Sequence, residues 1–324
     1  MAAKKVLMTS GAVLMLAVMV GFLGILGIAA ANAQDAGQKT FATPQEAGQA
    51  LQQAVQSNGT NDDLAVLGSS AANIVGSGDE VQDNNNRETF LKRFQQMNRW
   101  APQSDGSQTL YIGAENWPFP IPLKKNASGQ WYFDTKAGVQ EILFRRIGRN
   151  ELAAIGVCDA LADAQEEYFQ QLHDGSTVHQ YAQRIISEEG KQNGLYWKVA
   201  EGQPESPIGP LVAHATAQGY GNTGGTPEPF HGYYFHTLKA QGAHVAGGAK
   251  SYIVAGNMTG GFAFVAYPAE YRNSGVMTFL VDKNGVVFQK DLGPHSTDIA
   301  KAMTSYNPDK TWTTTGAPTG PDSN

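Results

Sequence analysis

The chain has 324 residues, and its 23 basic and 29 acidic side chains give a net charge of -6. A net acidic chain without a basic run argues against nucleic acid as the main partner. Its single cysteine rules out an intramolecular disulfide, so folding depends on an apolar core, for which the 41% hydrophobic content provides the material. The length suggests two domains, and the 37 glycines favour sheets and turns over long solvated helices.

The first 33 residues have the features of a signal peptide. Lys4 and Lys5 precede an apolar run at 11–31, and Ala31-Asn32-Ala33 is the small-x-small pattern that signal peptidase accepts. We therefore expect cleavage after Ala33 and an exported protein, secreted or held in the periplasm. The alternative is an uncleaved membrane anchor, because the apolar run is long enough to span a bilayer.

Residues 34–148 are predicted to form an α+β domain. Thr43-Pro44-Gln45-Glu46 is typical of a helix start, because threonine caps the first turn and proline is tolerated at its first position. Trp117–Pro122 alternates proline with large apolar groups, which predicts an extended segment that roofs the core or lines a groove. Two further helices and then three strands are expected at 62–67, 87–97, 109–112, 121–124 and 130–133.

Residues 149–312 are predicted to add a helix and an antiparallel β domain. The longest helical pattern spans Gly138–Leu172, and Gly148 marks the expected seam between the domains. Cys158 falls within this pattern, where we expect a small buried hydrophobic residue rather than a reactive thiol. A shorter helix is expected at 179–186, and Ser206–Pro210 is expected to be a turn.

A β-meander is expected to follow, with strands at 233–238, 252–255, 261–267, 276–281 and 286–290. Asn284-Gly285 can take the positive φ angles of a tight hairpin between the last two strands. The period-two alternation within Val276–Val281 predicts a half-buried sheet. Residues 313–324 lack apolar periodicity and are predicted to form a disordered tail. The whole chain is thus predicted to be an α+β protein.

A series of short motifs, taken in order, resembles a known family. These are Ser77–Asp79, Trp117–Pro120, Trp131–Asp134, Arg145–Glu151, Asp163–Gln165, Gly194–Trp197, Ser206-Pro207, Gly232–Tyr234, Gly275–Phe279 and Lys290–Gly293. Together they resemble the exported bacterial family catalogued as domain of unknown function 2950, over roughly Phe41 to Trp312. The resemblance implies a bacterial envelope or secreted protein. Because that family has no assigned activity, it supplies no catalytic residues.

Two further resemblances concern architecture. Helices followed by strands that end in Gly-x-Trp-x-Phe-Asp look like the cone-shaped fold of nuclear-transport-factor-2-like domains. The last strands look similar to the globular sheet of pilin-like proteins. The amino terminus lacks the Gly-Phe-Thr-Leu-x-Glu processing motif of pilin subunits, which argues against filament assembly. The resemblances imply a cone-like front domain and a C-terminal antiparallel β-meander.

The chemistry-bearing residues do not form a recognisable catalytic set in the sequence. His231 and His236 would point to opposite faces of one strand, and His244 follows a turn, so surface histidines are expected rather than a metal site. Asp159 and Asp163, with Glu166 and Glu167, form an acidic stripe that is typical of a solvated helix face. We therefore expect no metal and no cofactor, and we lean against an enzyme.

These patterns favour a non-enzymatic binding or assembly module of the cell envelope. The alternatives are an envelope hydrolase with a site between the domains, and a small-ligand carrier that uses the cone of the front domain. The partner would be another envelope protein or a small ligand, not nucleic acid, with membrane contact only through an uncleaved leader. The candidate binding residues are Trp117, Phe119, Arg145, Arg146, Tyr233 and Tyr271. For the arginines, a salt bridge from Glu141 to Arg145 is the alternative to an anion site.

Overall fold

The structure, a computed structural model, describes residues 34–200, 202–221 and 228–316. The predicted signal peptide at 1–33 and residues 317–324 of the predicted tail lie outside the described residues. The described chain combines helices with antiparallel sheets, which confirms the α+β prediction. Within these ranges, no helix is both long and apolar enough to cross a membrane.

The first part of the described chain contains helices and then an antiparallel sheet. The helices are α1 (Pro44–Ser57), α2 (Thr60–Leu67), α3 (Ala72–Val75) and α4 (Glu80–Gln96), with a 3₁₀ turn at Ser69–Ala71. The strands are β1 (Asn98–Pro102), β2 (Gln108–Ile112), β3 (Trp117–Pro118), β4 (Leu123–Lys125) and β5 (Trp131–Phe133). The sheet order is β1-β2-β4-β5, with β3 paired to β2.

Capping side chains set the helix starts in this part. Thr43 caps α1 as predicted, since its Oγ1 accepts a hydrogen bond from Glu46 N at 3.2 Å. Helix α4 begins earlier than predicted because Asp79 caps it, accepting from Gln82 N at 2.9 Å. A cap of this kind satisfies one of the first-turn amides that lack a helical partner. The asparagine-rich stretch 84–86, just before the helix expected at 87–97, therefore lies inside α4.

A single long helix, α5 (Thr135–Phe169), follows the first sheet. Its 35 residues run without interruption through Gly148, where the sequence pattern allowed a break. The domain boundary between 148 and 149 falls inside this helix and stays a prediction.

The last part of the chain is rich in strands. Its elements are α6 (Gly209–Ala217), β6 (Tyr233–Leu238), β7 (Ala240–Gln241), β8 (Lys250–Ser251), β9 (Ile253–Val254), β10 (Asn257–Met258), β11 (Ala263–Pro268), β12 (Met277–Asp282), β13 (Phe288–Asp291), α7 (Ser296–Lys301), β14 (Ser305–Tyr306) and β15 (Thr313–Thr314). The main sheet is antiparallel, in the order β15-β13-β12-β11-β6. Gly285 takes the expected positive φ, 69°, between β12 and β13, but Asn284 does not, and the connection spans 283–287 rather than a tight hairpin turn.

Two local predictions are wrong in this part, and a third is confirmed. Residues 179–186 form no helix, because Gln165 exchanges two hydrogen bonds of 2.8 Å with the backbone of Ala182 and Tyr181 N donates to Met258 O. The turn predicted at 206–210 is present, since Gly209 N donates to Ser206 O at 2.6 Å, and it leads directly into α6, where Pro210 occupies the first turn. Thr313–Thr314 pairs with β13, so regular structure continues into the predicted tail.

The two central strands of the main sheet, β11 and β12, are buried on both faces rather than on one. Every residue of β11 is buried, as are those of β12 after Met277. Since neighbouring side chains in a strand point to opposite faces, this burial means that both faces are covered. Helices α5 and α7 both pack against β11. The prediction of a half-buried sheet is therefore wrong.

The buried apolar side chains divide into two clusters. The front core lies between α1, α2, α4 and the first sheet, and includes Leu51, Phe94 and Phe133. The rear core lies between α5 and the main sheet, and includes Cys158 and Phe264. Cys158 is fully buried, as predicted for a structural cysteine.

Candidate functional site

A small cavity lies beside the front core, among α1, α2, α4, α5 and the segment after β3. Its volume is about 160 Å³. We call it the front cavity. Its apolar wall is formed by Leu51, Val55, Ile74, Phe90, Phe119 and Ile142. A concave apolar site with a few polar groups is the usual form of a small-molecule pocket.

Helical spacing and prolines bring this wall together. Leu51 and Val55 are four residues apart on α1, so they share one face of that helix. Pro118 and Pro120 hold Phe119 in extended backbone, and Phe119 N donates to Leu110 O at 2.8 Å. The ring of Phe119 then packs against Phe90, with centroids 5.7 Å apart.

Asp63 is the most deeply buried charged residue of the front cavity. Its exposed fraction is 3%. Its Oδ2 accepts from the guanidinium of Arg87 at 2.5 Å, whereas its Oδ1 has no hydrogen-bond partner within the described chain. Burial raises the pKa of Asp63, and the charge of Arg87 opposes that rise. An unpartnered buried carboxylate oxygen is costly, so it requires an explanation.

Asp83 is a second carboxyl group in the lining. Its Oδ2 accepts from Ser77 N at 2.8 Å. Burial raises its pKa, while the hydrogen bonds from Ser77 and the charge of Arg146 act in the opposite direction. Carboxyl groups with shifted pKa values cluster at functional sites, although ion-pair networks also produce them. The front cavity therefore combines an apolar wall with two perturbed acids and two arginines.

Three of the sequence-predicted site residues lie together at the edge of the front core. The rings of Trp117 and Phe119 are 6.4 Å apart, and the Arg145 guanidinium lies 5.8 Å from the centre of the Trp117 ring. Arg145 also pairs with Glu141 at 2.7 Å, which confirms the salt bridge expected from their spacing. Trp117 and Phe119 both pack against the front core, as expected for an aromatic-proline segment that roofs it.

Arg146, although next to Arg145 in the chain, is buried with an exposed fraction of 5%. Its guanidinium donates to three backbone carbonyls of the chain around α3, those of Asn73, Ile74 and Gly76. It also donates to the side chain of Asn273. These contacts use the fixed fork of donors that arginine provides. The arrangement favours a structural role for Arg146 over binding of an anion.

Two neighbours of Arg146 on α5 also bind distant backbone. Asn150 Nδ2 donates to Ser274 O at 2.8 Å. Glu151 Oε1 accepts from the amides of Val276 and Met277, each at 3.0 Å. Together with Arg146 and Asn273, these side chains form what we call the polar junction, which links the chain around α3 and helix α5 to the loop before β12.

The two tyrosines among the predicted site residues lie away from the front cavity. Tyr233 is fully buried in the rear core, and its hydroxyl donates to Met277 O at 2.9 Å. Tyr271 is half-buried, and its hydroxyl donates to Asp291 at 3.1 Å. The structure therefore does not bring Tyr233 and Tyr271 together with Trp117, Phe119 and the arginines.

The histidines named above do not converge on one point. His236 contacts Met303 O at 3.0 Å, while His231 packs against the rings of Tyr220 and Phe230. The backbone amide of His244 donates to the side chain of Asn307. The structure, as far as it describes the chain, contains no group of three His, Cys, Asp or Glu residues placed to hold a metal ion. The acidic stripe is exposed at Asp159, Asp163, Glu166 and Glu167.

A larger cleft of about 370 Å³ lies near the end of α5. Tyr168, His173 and Trp197 contribute to its wall. The rings of Tyr168 and His173 stack at 3.8 Å, and the Tyr168 hydroxyl donates to Gln192 O at 2.6 Å. His173 contacts Tyr168 O and the side chain of Gln192. The polar groups of the Tyr168 and His173 rings are therefore already hydrogen-bonded within the protein.

Sequence reasoning missed Asp63 as a site residue. The feature of the sequence that indicates it is its helical spacing from Val66 and Leu67. Asp63 lies on the same face of α2 as these two residues, and all three are buried. A carboxylate on the apolar face of a helix is rarely tolerated without a partner. The partner, Arg87, lies on another helix, and no local pattern indicates that pairing.

The fold and the front cavity together define a class, that of α+β proteins with a small, mostly apolar pocket. Residues 38–315 match the family described as Protein of unknown function (DUF2950). The chain therefore belongs to this family, which confirms the resemblance carried by its motifs. No curated protein and no solved structure shows significant similarity to the chain.

Proposed function

We propose that this protein is a non-enzymatic binding module of the cell envelope, and that the front cavity holds its ligand. The observation that carries the proposal is a cavity of about 160 Å³ with an apolar wall, next to a buried carboxylate. Such a site fits the small-ligand carrier expected for a cone-like front domain. The signal-peptide features at 1–33 support a location in the periplasm or outside the cell.

The volume limits the size of the ligand. An engineered apolar cavity of about 150 Å³ in another protein binds benzene. The front cavity, at about 160 Å³, therefore suits a single ring or a short branched chain. Phe90 and Phe119 would contact the faces or edges of such a ring.

The chemistry of the walls favours the front cavity over the larger cleft near Trp197. The rings of Tyr168 and His173 in that cleft are engaged with each other and with Gln192. A ligand in the front cavity, by contrast, would cover a lining that is mostly apolar, whereas the lining of the cleft is mostly polar.

A hydrolase with a site between the domains is the second candidate. Its reactive groups would belong to the polar junction, where front and rear elements meet. There Arg146, Asn150 and Glu151 each bind the backbone of another segment. These contacts favour a structural role, so the binding module is the better-supported proposal.

Binding of fluorobenzene to the full chain, followed by ¹⁹F NMR, tests the proposal. We expect saturable binding that weakens at least about tenfold in Ile142→Phe, because the added ring fills the cavity. Leu152→Phe is the matched control, since Leu152 lies on the same helix and is 67% exposed. Val55→Phe fills the cavity from α1 instead of α5. It provides an independent test if Ile142→Phe does not fold. Absence of saturable binding, or equal binding by both filled variants and the control, would contradict the proposal.

A further inference from the structure

The larger cleft near the end of α5 has a different kind of lining from the front cavity. At about 370 Å³, it falls in the size range of small-molecule sites. Exposed polar side chains form part of its wall, and these are Glu167, Gln171, Lys198, Gln203 and Glu205. None of the five makes a side-chain hydrogen bond or an ion pair within the described residues. The cleft therefore offers several polar groups that a ligand can reach.

Trp197 adds an aromatic ring to the same cleft. The chain before it is fixed, since Tyr196 N donates to Ile185 O at 2.9 Å. The ring is half-buried and lies 6.3 Å from the ring of Tyr168 and 5.5 Å from that of His173. Its indole N–H has no hydrogen-bond partner among the described residues, yet it is not one of their buried unpaired polar atoms, so solvent reaches it. Trp197 thus combines a positioned ring with an accessible donor.

The lining contains both hydrogen-bond donors and acceptors. The glutamates accept, Lys198 and the indole of Trp197 donate, and the two glutamine amides do both. A hydroxyl group also donates and accepts, so a ligand with several hydroxyls can pair with all of these groups. A cation without acceptors would leave Lys198 and the indole unpaired, and an anion would be repelled by the glutamates. The lining therefore fits a neutral ligand with several hydroxyl groups.

We propose that this cleft is a second binding site, and that its ligand is a neutral carbohydrate. A sugar ring carries hydroxyl groups around its edge and C–H groups on its faces. One such face would lie against the ring of Trp197, because the negative face of an aromatic ring suits C–H groups. The hydroxyls would pair with Gln171 and the other polar side chains of the lining. The cleft shares no lining residue with the front cavity, so this inference does not depend on the proposed function.

NMR titration of the full chain with four simple sugars tests this inference. The probes are the methyl β-glycosides of glucose, galactose, mannose and N-acetylglucosamine, and we expect saturable binding of at least one. Cyclohexanol, which keeps a six-membered ring but has one hydroxyl, should bind at least about tenfold more weakly, because most of the hydrogen bonds are lost. Choline, a cation that suits aromatic rings, should not bind better than cyclohexanol.

Two glutamines at the end of α5 provide a matched pair of variants. Gln171→Ala should weaken binding of the glycoside about threefold to tenfold, as for the loss of an ordinary hydrogen bond. Gln170→Ala is the control, because Gln170 is also exposed but does not line the cleft, and it should leave the affinity unchanged. Trp197→Leu removes the aromatic ring and the indole N–H, so it should weaken binding at least about tenfold. The glutamine pair remains decisive even if Trp197→Leu does not fold, since both glutamines are exposed.

The outcomes separate this inference from the proposed function. Failure of all four glycosides to bind would overturn the carbohydrate site and leave the front cavity untouched. Binding of choline without binding of any glycoside would also overturn it, because the cleft would then select a cation. Equal effects of the two glutamine substitutions would show that the sugar binds elsewhere. Ile142→Phe, which fills the front cavity, should leave glycoside binding unchanged, and a loss there would contradict the placement in the cleft.

Discussion

Arg145 and Arg146 are adjacent in the chain, yet their surroundings differ completely. Arg145 lies at the surface, where it pairs with Glu141 and stacks on Trp117. Arg146 is buried and donates to three carbonyls and to Asn273. Their sequence neighbourhood is the same, so only helix orientation decides which one faces the interior. The spacing from Glu141 identified the surface pair, but nothing local identified the buried one.

Conservative substitution separates these two roles. Arg146→Lys should lower the free energy of unfolding by about 2–3 kcal/mol, because an ammonium cannot replace the planar fork and leaves buried carbonyls unpaired. Arg145→Lys, the matched control, should change it by less than about 1 kcal/mol, as for other exposed ion pairs. Urea denaturation of both variants measures the difference. Equal effects would show that Arg146 does not hold the polar junction together.

Asp63, at the candidate site, is a second residue whose surroundings cannot be read from its neighbours in the sequence. Its position on the apolar face of α2 marks it as unusual, and that much can be seen in the sequence. Its pairing with Arg87 on α4 joins residues from different helices. The unpaired Oδ1 follows from that pairing and from the packing around it.

At the scale of elements, α5 departs from its expected form at Gly148. Its helical apolar spacing was recognisable, but Gly148 was expected to be a seam. The helix continues because residues on both sides of Gly148 are buried, among them Arg146, Asn150 and Ala154, and their contacts outweigh the low helix propensity of glycine. Tertiary packing therefore decided the length of this element.

Two glycine substitutions on α5 should have opposite effects. A Cβ at Gly148 would meet no atom within 4 Å, so Gly148→Ala should raise the free energy of unfolding by about 0.5–1 kcal/mol through lower backbone entropy of the unfolded chain. A Cβ at Gly138 would lie 2.7 Å from Pro120 O and from Ile121. Gly138→Ala should therefore be destabilising by about 1–3 kcal/mol. Thermal unfolding of both variants provides the test, and the same sign for both would contradict it.

At the scale of the whole molecule, Asp79 connects elements that are distant in the chain. It caps α4 through Gln82 N. Its other oxygen accepts from the hydroxyl of Tyr220 at 2.9 Å and from Gly232 N at 2.8 Å. The side chain is 1% exposed. One carboxylate thus stabilises a front helix and binds the segment that leads into the main sheet.

Asp79→Ala should therefore cost more than the loss of an ordinary helix cap. We expect the free energy of unfolding to fall by about 3 kcal/mol, because buried donors of Tyr220 and Gly232 would lose their acceptor. Thr43→Ala, which removes the cap of α1, is the matched control and should cost about 1 kcal/mol. Denaturant unfolding followed by tryptophan fluorescence measures both. Equal costs would mean that Asp79 acts only as a cap.

The sequence alone determined the features that depend on neighbours in the chain. These include the Thr43 cap, the Gly285 turn, the strand at 233–238 and the α+β class. The tertiary structure decided features whose partners are remote, such as the non-helical segment held by Gln165, the double-sided burial of β11 and the pairing of Asp63 with Arg87. The physical reason is that caps and turns are local hydrogen bonds, whereas burial and ion pairing depend on which surfaces meet after the chain folds.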